Sequence, residues 1–94
     1  MRNEYFRIKN LGGNMEKEEI LKDLEKIFKN VLEDESITIT GDMNAEDIKG
    51  WDSLSHINII EEVEKHFKVH FSIGEIVVLK TISNLINLIQ QKIS

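Results

Sequence analysis

Cysteine is absent from the 94-residue chain. That excludes a disulfide framework, a thiolate zinc site and a cysteine nucleophile. A small chain without disulfides is expected inside a cell, here in the cytoplasm. Proline is absent too, and glycine occurs only five times, a shortage of chain breakers that favours helices. No apolar run approaches the ~18–20 residues that span a bilayer, so no membrane segment is expected. The opening residues also lack the charged-then-apolar order of a signal peptide. Positive charge is in short supply, with 12 Lys and Arg against 17 Asp and Glu and a net charge of −5. An acidic surface repels phosphate backbones, which argues against a nucleic-acid partner and favours proteins with basic faces. A chain this short hides only ~60–65% of its unfolded surface, which leaves no room for a deep cleft between two lobes. What is present, 40% hydrophobic and 31% charged residues, is the composition of a folded domain.

Residues 1–14, MRNEYFRIKNLGGN, set Arg2, Arg7 and Lys9 against Glu4 for a local charge of +2, which leaves −7 on residues 15–94. Gly12-Gly13 breaks any helix before Met15. The expected organisation is a flexible extension over 1–14 and one helical domain over 15–94. Asn10-Leu11-Gly12-Gly13-Asn14 also back-translates to a purine-rich stretch ahead of a methionine codon. A translated ribosome-binding region with Met15 as the start, and an ordinary disordered extension, both stay open.

Residues 16–32 carry the cleanest periodicity. Ile20, Leu21, Leu24, Ile27, Phe28, Val31 and Leu32 fall on one helix face. Glu16, Glu18 and Glu19 lie where the helix dipole favours anions, with Asn14 or Met15 flanking the start. Residues 33–52 form a long connection in which Ile37, Ile39, Met43, Ile48 and Trp51 are spaced as anchors to a core and Gly41 and Gly50 supply turns. Thr38-Ile39-Thr40 alternates like a strand but has no partner. A second helix is expected over 53–67, capped by Asp52. Its buried stripe is read as Leu54, Ile57, Ile60, Val63 and Phe67, with Ile59 at the exposed flank. Ser72-Ile73-Gly74-Glu75 reads as a capping box opening a short third helix to about Leu79. Gly74 costs that helix ~1 kcal/mol against alanine, so it should be the weakest. Thr81 caps a fourth helix with Ile82, Leu85, Ile86, Ile89 and Ile93 at helical spacing. The expected fold is all-α, a four-helix bundle of three longer helices and one short one, with a long loop between the first and second.

The chemistry concentrates in Gly50-Trp51-Asp52-Ser53-Leu54. Ser53 falls where the long loop meets a helix start, with an accessible hydroxyl between apolar neighbours. First-turn amides and the positive end of the dipole face that position, so a phosphate ester on Ser53 would be well received. Plain capping by Asp52 and Ser53 explains the same residues. Read in its wider context, Ile48-Lys49-Gly50-Trp51-Asp52-Ser53-Leu54 followed by His56 through Phe67, with Thr81-Ile82-Ser83-Asn84-Leu85 opening the last helix, resembles the acyl carrier protein family. The resemblance covers about residues 16–93. It implies a bundle whose motif serine, here Ser53, receives 4′-phosphopantetheine from coenzyme A through a separate phosphopantetheinyl transferase. The chain would then be a carrier and not an enzyme, holding acyl or related groups as thioesters for partner enzymes of fatty-acid, polyketide or other specialised biosynthesis. Asp52 and Leu54 are the motif neighbours, Asp52 helping the transferase recognise the site. Leu54, Asn58, Glu61 and Glu62 are the expected contacts for partners with basic faces.

Members of the family that serve fatty-acid synthesis carry denser acid on helices two and three. Here Ser55, His56, Asn58 and Lys65 soften helix two, and Ile76, Val77 and Val78 make helix three apolar with Glu75 its only acid. That departure suggests a dedicated pathway, such as polyketide, nonribosomal peptide or cell-surface sugar modification. Two alternatives stand beside the acyl carrier: a peptidyl or aminoacyl carrier, and a cofactor-free acidic adaptor docking a partner helix through an exposed Trp51 or Ile59. A hydrolase built on Asp52, Ser53 and His56 lacks an oxyanion hole and a carboxylate behind the imidazole. Glu62 and His66 lie at i, i+4, too few ligands for a metal site. His56 is expected at the core boundary and His70 in a loop. The chain is expected to act as a monomer.

Overall fold

In the computed structural model the described residues are 16–93. The extension expected over 1–14 lies outside them. Within this range are four α-helices: α1 (Lys17–Leu32), α2 (Ser53–Phe67), α3 (Ile73–Val77) and α4 (Ile82–Ile93). A single 3-10 turn, Ala45–Asp47, interrupts the loop between α1 and α2.

The first helix starts one residue later than its acidic turn suggests. Glu16 is its N-cap, and the Glu19 carboxylate accepts a hydrogen bond from the Glu16 amide at 3.1 Å. It ends at Glu33, whose left-handed backbone lets the Asp34 amide return to the Lys29 carbonyl at 3.0 Å. Ile20, Leu24, Ile27 and Phe28 face the core as their spacing requires, while Leu21, Val31 and Leu32 pack at its edge. The apolar faces of α2 and α4 close on α1. Ile82, Leu85, Ile86 and Ile89 are buried on α4, and Ile93 lies at the margin.

The long loop is held rather than hanging. Ile37, Ile39, Ile48 and Trp51 are all buried, and Met43 packs against the same core. The Ile39 amide donates to Glu25 of α1 at 3.1 Å. Met43 and Gly41 carbonyls accept the Ile82 and Ser83 amides at 2.9 and 2.7 Å, so the loop caps the first turn of α4. Thr81 adds a side-chain cap, its hydroxyl accepting from the Asn84 amide at 3.1 Å. The 3-10 turn has its own box, with Asn44 accepting from the Glu46 amide and Asp47 from the Asn44 amide.

The buried stripe of α2 differs from its sequence reading by a rotation about the axis. Ile59 is 0% exposed, whereas Leu54 is 78% and Ile57 57% exposed. The core face runs through His56, Ile59, Ile60, Val63 and Phe67, which are the i, i+3, i+4, i+7 steps of one stripe. Counting apolar side chains favoured Leu54 and Ile57. Leu54, Ile57, Ile60 and Val63 advance in steps of three and drift around the axis, so they cannot share one face, and the His56 ring enters the boundary with a polar partner in Trp51. The phase is testable: Ile59→Val should cost ~0.5–1.5 kcal/mol, and Ile57→Val should stay within ~0.5 kcal/mol, both read from urea denaturation midpoints.

Candidate functional site

Ser53 is the first residue of α2, and the geometry around it is set by its neighbours. Gly50 turns the chain with φ at +93°, a left-handed conformation that costs a side chain dearly. Trp51 then drops into the core and meets Phe28 edge-on at 5.0 Å. Asp52 follows in extended backbone as the N-cap, its Oδ1 accepting from the amides of Leu54 and Ser55 at 3.0 and 2.9 Å. Ser55 reciprocates. Its Oγ accepts from the Asp52 amide at 2.8 Å and donates to the Gly50 carbonyl at 2.7 Å. These hydrogen bonds, that of the Ser55 amide foremost, hold the Asp52 carboxyl below the usual carboxylate range. The acid is therefore ionised in its capping role.

With Asp52 and Ser55 occupied by the cap, Ser53 is exposed and its hydroxyl makes no hydrogen bond among the described residues. The helix start does not offer a free anion cradle, which the sequence suggested. Leu54 and Ser55 amides belong to Asp52, and the His56 amide returns to the Asp52 carbonyl at 2.8 Å. A group esterified to Ser53 would leave the surface outward, beside a carboxylate. The residue fits a covalent attachment point that a second protein must reach. It does not fit a nucleophile activated within this chain. His56, the nearest imidazole, uses Nδ1 to accept from Trp51 Nε1 at 3.0 Å, and its ring stacks on the indole.

The remaining expected site residues divide by position. Asn58, Glu61 and Glu62 are exposed and share a groove of about 360 Å³ with Ile27, Asn30 and Val31 of α1. Leu54 stands apart from that groove, beside Ser53. Lys65 pairs with Glu62 at 3.7 Å. His66 turns to Asp23 of α1 at 3.0 Å rather than to Glu62, and His70 lies in an exposed loop near Glu64. Among the described residues, no group of three or more acids and histidines is arranged to hold a metal ion. Trp51 and Ile59 are both buried, so the adaptor surface expected of them does not exist. Exposed apolar side chains sit elsewhere: Leu54 and Ile57 on α2, Ile73 and Val77 on α3, and Val78 just after it. The sequence reading places Leu54 among the partner contacts as well as in the buried stripe, whereas Ile57, here exposed, is placed in the stripe alone. Helix spacing gave no sign that α3 would turn its apolar side chains outward.

A family model described as "Phosphopantetheine attachment site" matches residues 22–89. The solution structure of holo acyl carrier protein from Geobacter metallireducens is 43% identical, covers 77% of this chain and 83% of its own, and superposes with a TM-score of 0.71. A crystal structure of acyl carrier protein from Thermotoga maritima has a TM-score of 0.74 at 19% identity, over 83% of this chain and 91% of its own, a likeness of fold. Comparison with curated protein sequences gave no match.

Burial at the rim has a consequence for pH. The half-buried His56 ring is held below the ordinary histidine value, chiefly because burial disfavours its charged form. The unfolded chain binds that proton near pH 6.5 and the folded chain binds it only at lower pH. Stability from the neutral ring is therefore complete above the unfolded value and declines as pH falls below it. Urea midpoints measured at pH 7.5 and 5.5 should drop on acidification, and the drop should shrink in His56→Gln. A second decline at lower pH, as Asp34, Asp42, Asp52 and Glu75 protonate, should persist in that variant, since hydrogen bonds depress all four carboxyls in the fold.

Proposed function

The chain belongs to the acyl carrier protein family of phosphopantetheine-binding proteins, and we propose that Ser53 is the residue that carries its 4′-phosphopantetheine. The family is one of carriers, not catalysts, each the substrate of a phosphopantetheinyl transferase. The observation that carries the assignment is the exposed, unbonded hydroxyl of Ser53 at the first position of α2. Ser55, two residues on, is committed to the cap, and Ser36 donates its hydroxyl to Asp34. A phosphodiester at Ser53 Oγ supplies a flexible arm ending in a thiol, and the thiol holds an acyl group as a thioester. That thiol has to come from the arm, because the chain has no cysteine.

The chain's own residues then act as a mount. Asp52 fixes the helix start so that Ser53 faces outward. Leu54 gives an enzyme at Ser53 an apolar foothold. Asn58, Glu61 and Glu62 continue along the same exposed helix and suit partners with basic faces, whose approach their charge would steer. Lys65 and the apolar, outward α3 dilute that acid. On this reading the cargo belongs to a specialised biosynthesis, polyketide, nonribosomal peptide or surface-sugar modification, and the carrier works as a monomer in the cytoplasm.

Incubation of the apo-protein with coenzyme A and a promiscuous phosphopantetheinyl transferase should add one phosphopantetheine to the intact mass. Ser53→Ala should abolish the addition while leaving the circular dichroism spectrum unchanged. An unchanged wild-type mass with several transferases, or addition that survives in Ser53→Ala, would sink the assignment. Efficient turnover of the loaded carrier by a housekeeping ketosynthase would count against the specialised pathway.

A further inference from the structure

The third helix is too short to hold itself. Fixing a first helical turn costs more than its one hydrogen bond returns, and α3 has only five residues, none of them buried. Gly74 stands inside it and weakens it further. A groove of about 230 Å³ lies between its end and α4, with Glu75, Val78 and Leu79 on one wall and Asn84 and Leu88 on the other, so apolar packing along that seam is incomplete.

Three polar contacts converge on its first turn instead. The Glu75 carboxylate accepts the Ser72 amide at 2.8 Å, and the Ser72 hydroxyl accepts the Glu75 amide at 3.2 Å, which closes the capping box. The same oxygen, Oε1, takes the Lys92 ammonium of α4 at 2.9 Å. That ammonium also stands 5.9 Å from the centre of the Phe71 ring, a residue buried in the core. One lysine thus joins the anchor just before the cap to the acid that completes it. Other ties act outside the helix. Glu64 of α2 holds the Phe71 amide at 2.8 Å before it, and Asn84 of α4 accepts the Lys80 and Thr81 amides at 3.1 Å after it. Between those two points Lys92 reaches the helix itself.

We propose that Lys92 is a latch that keeps α3 helical. It fixes the first turn to α4 and so holds Ile73 and Val77, one turn apart, on a single outward apolar face. With the latch released, α3 opens as a local unit while Phe71 and the rest of the bundle stay in place, and the apolar face loses its fixed form. The latch does not depend on Ser53 being the attachment point.

The test is amide hydrogen exchange on the full chain. Wild type is compared with Lys92→Met, which keeps the stem and removes the ammonium, with Glu75→Gln, which keeps an acceptor for the Ser72 amide, and with the double variant. In each single variant the amides of Ile76 through Leu79 should exchange about threefold faster relative to those of α1 and α2. The double variant should exchange no faster than Lys92→Met, because both substitutions remove the same contact. Sodium chloride at about 0.5 M should speed exchange at α3 in the wild type, again relative to α1 and α2, and leave Lys92→Met unaltered. Wild-type rates at α3 in both single variants overturn the latch. So do effects that multiply in the double variant, salt independence in the wild type, and an acceleration shared equally by α1 and α2.

Discussion

One carboxylate fixes the direction of Ser53. Asp52 takes two amides of the first turn of α2 on a single oxygen, and in exchange its own amide is held by Ser55. That reciprocal box defines where the helix starts. The residue after the cap must then be helical, with its side chain at the rim and no backbone group left to hold it. The outward hydroxyl of Ser53 is a consequence of the cap rather than a separate feature. The cap in turn depends on the turn at Gly50 and on the Trp51 ring seated against Phe28, which fix the approach of the chain.

The same economy explains why a loop of this length is ordered. Four buried side chains anchor it, and two of its carbonyls satisfy amides that the start of α4 cannot bond for itself. A loop tethered at both its apolar and its polar groups loses little further entropy when a partner covers its end. Gly41 belongs to this seam. A Cβ there would stand 2.6 Å from the Ser83 hydroxyl, which would have to rotate aside to admit it.

Much of this was legible in the sequence. The stripes of α1 and α4, the anchors of the loop, the Asp52 cap, the Ser72–Glu75 box and the short third helix all follow from spacing and local chemistry. The phase of α2 did not. Two stripes compete there, one through Leu54 and Ile57 and one through His56 and Ile59, and apolar count alone ranks the wrong one first. Strict helical spacing favours the second, through Ile59, Ile60 and Val63, whereas Leu54, Ile57, Ile60 and Val63 advance in steps of three and drift about the axis; the Trp51–His56 hydrogen bond then satisfies the one polar group on the buried stripe. The 3-10 turn was missed for a different reason. Asn44 and Asp47 do spell a cap, but a three-residue element buries nothing and leaves no hydrophobic period to find.

The occupied cap also decides what kind of tether Ser53 can make. An open helix N-terminus would draw a phosphate back onto its amides and pin the base of the arm. Here those amides are spent on Asp52, whose carboxyl stays ionised because of them. A phosphodiester on Ser53 would stand beside that carboxylate and find the Leu54, Ser55 and His56 amides already bonded. Both effects would favour an outward course for it. The Asp52 carboxylate thus already sits at the positive end of the helix dipole and accepts two of its amides. On the proposed assignment, Ser53 is a rigidly held mount whose hydroxyl faces away from the cap, which suits an arm that must travel between partner enzymes.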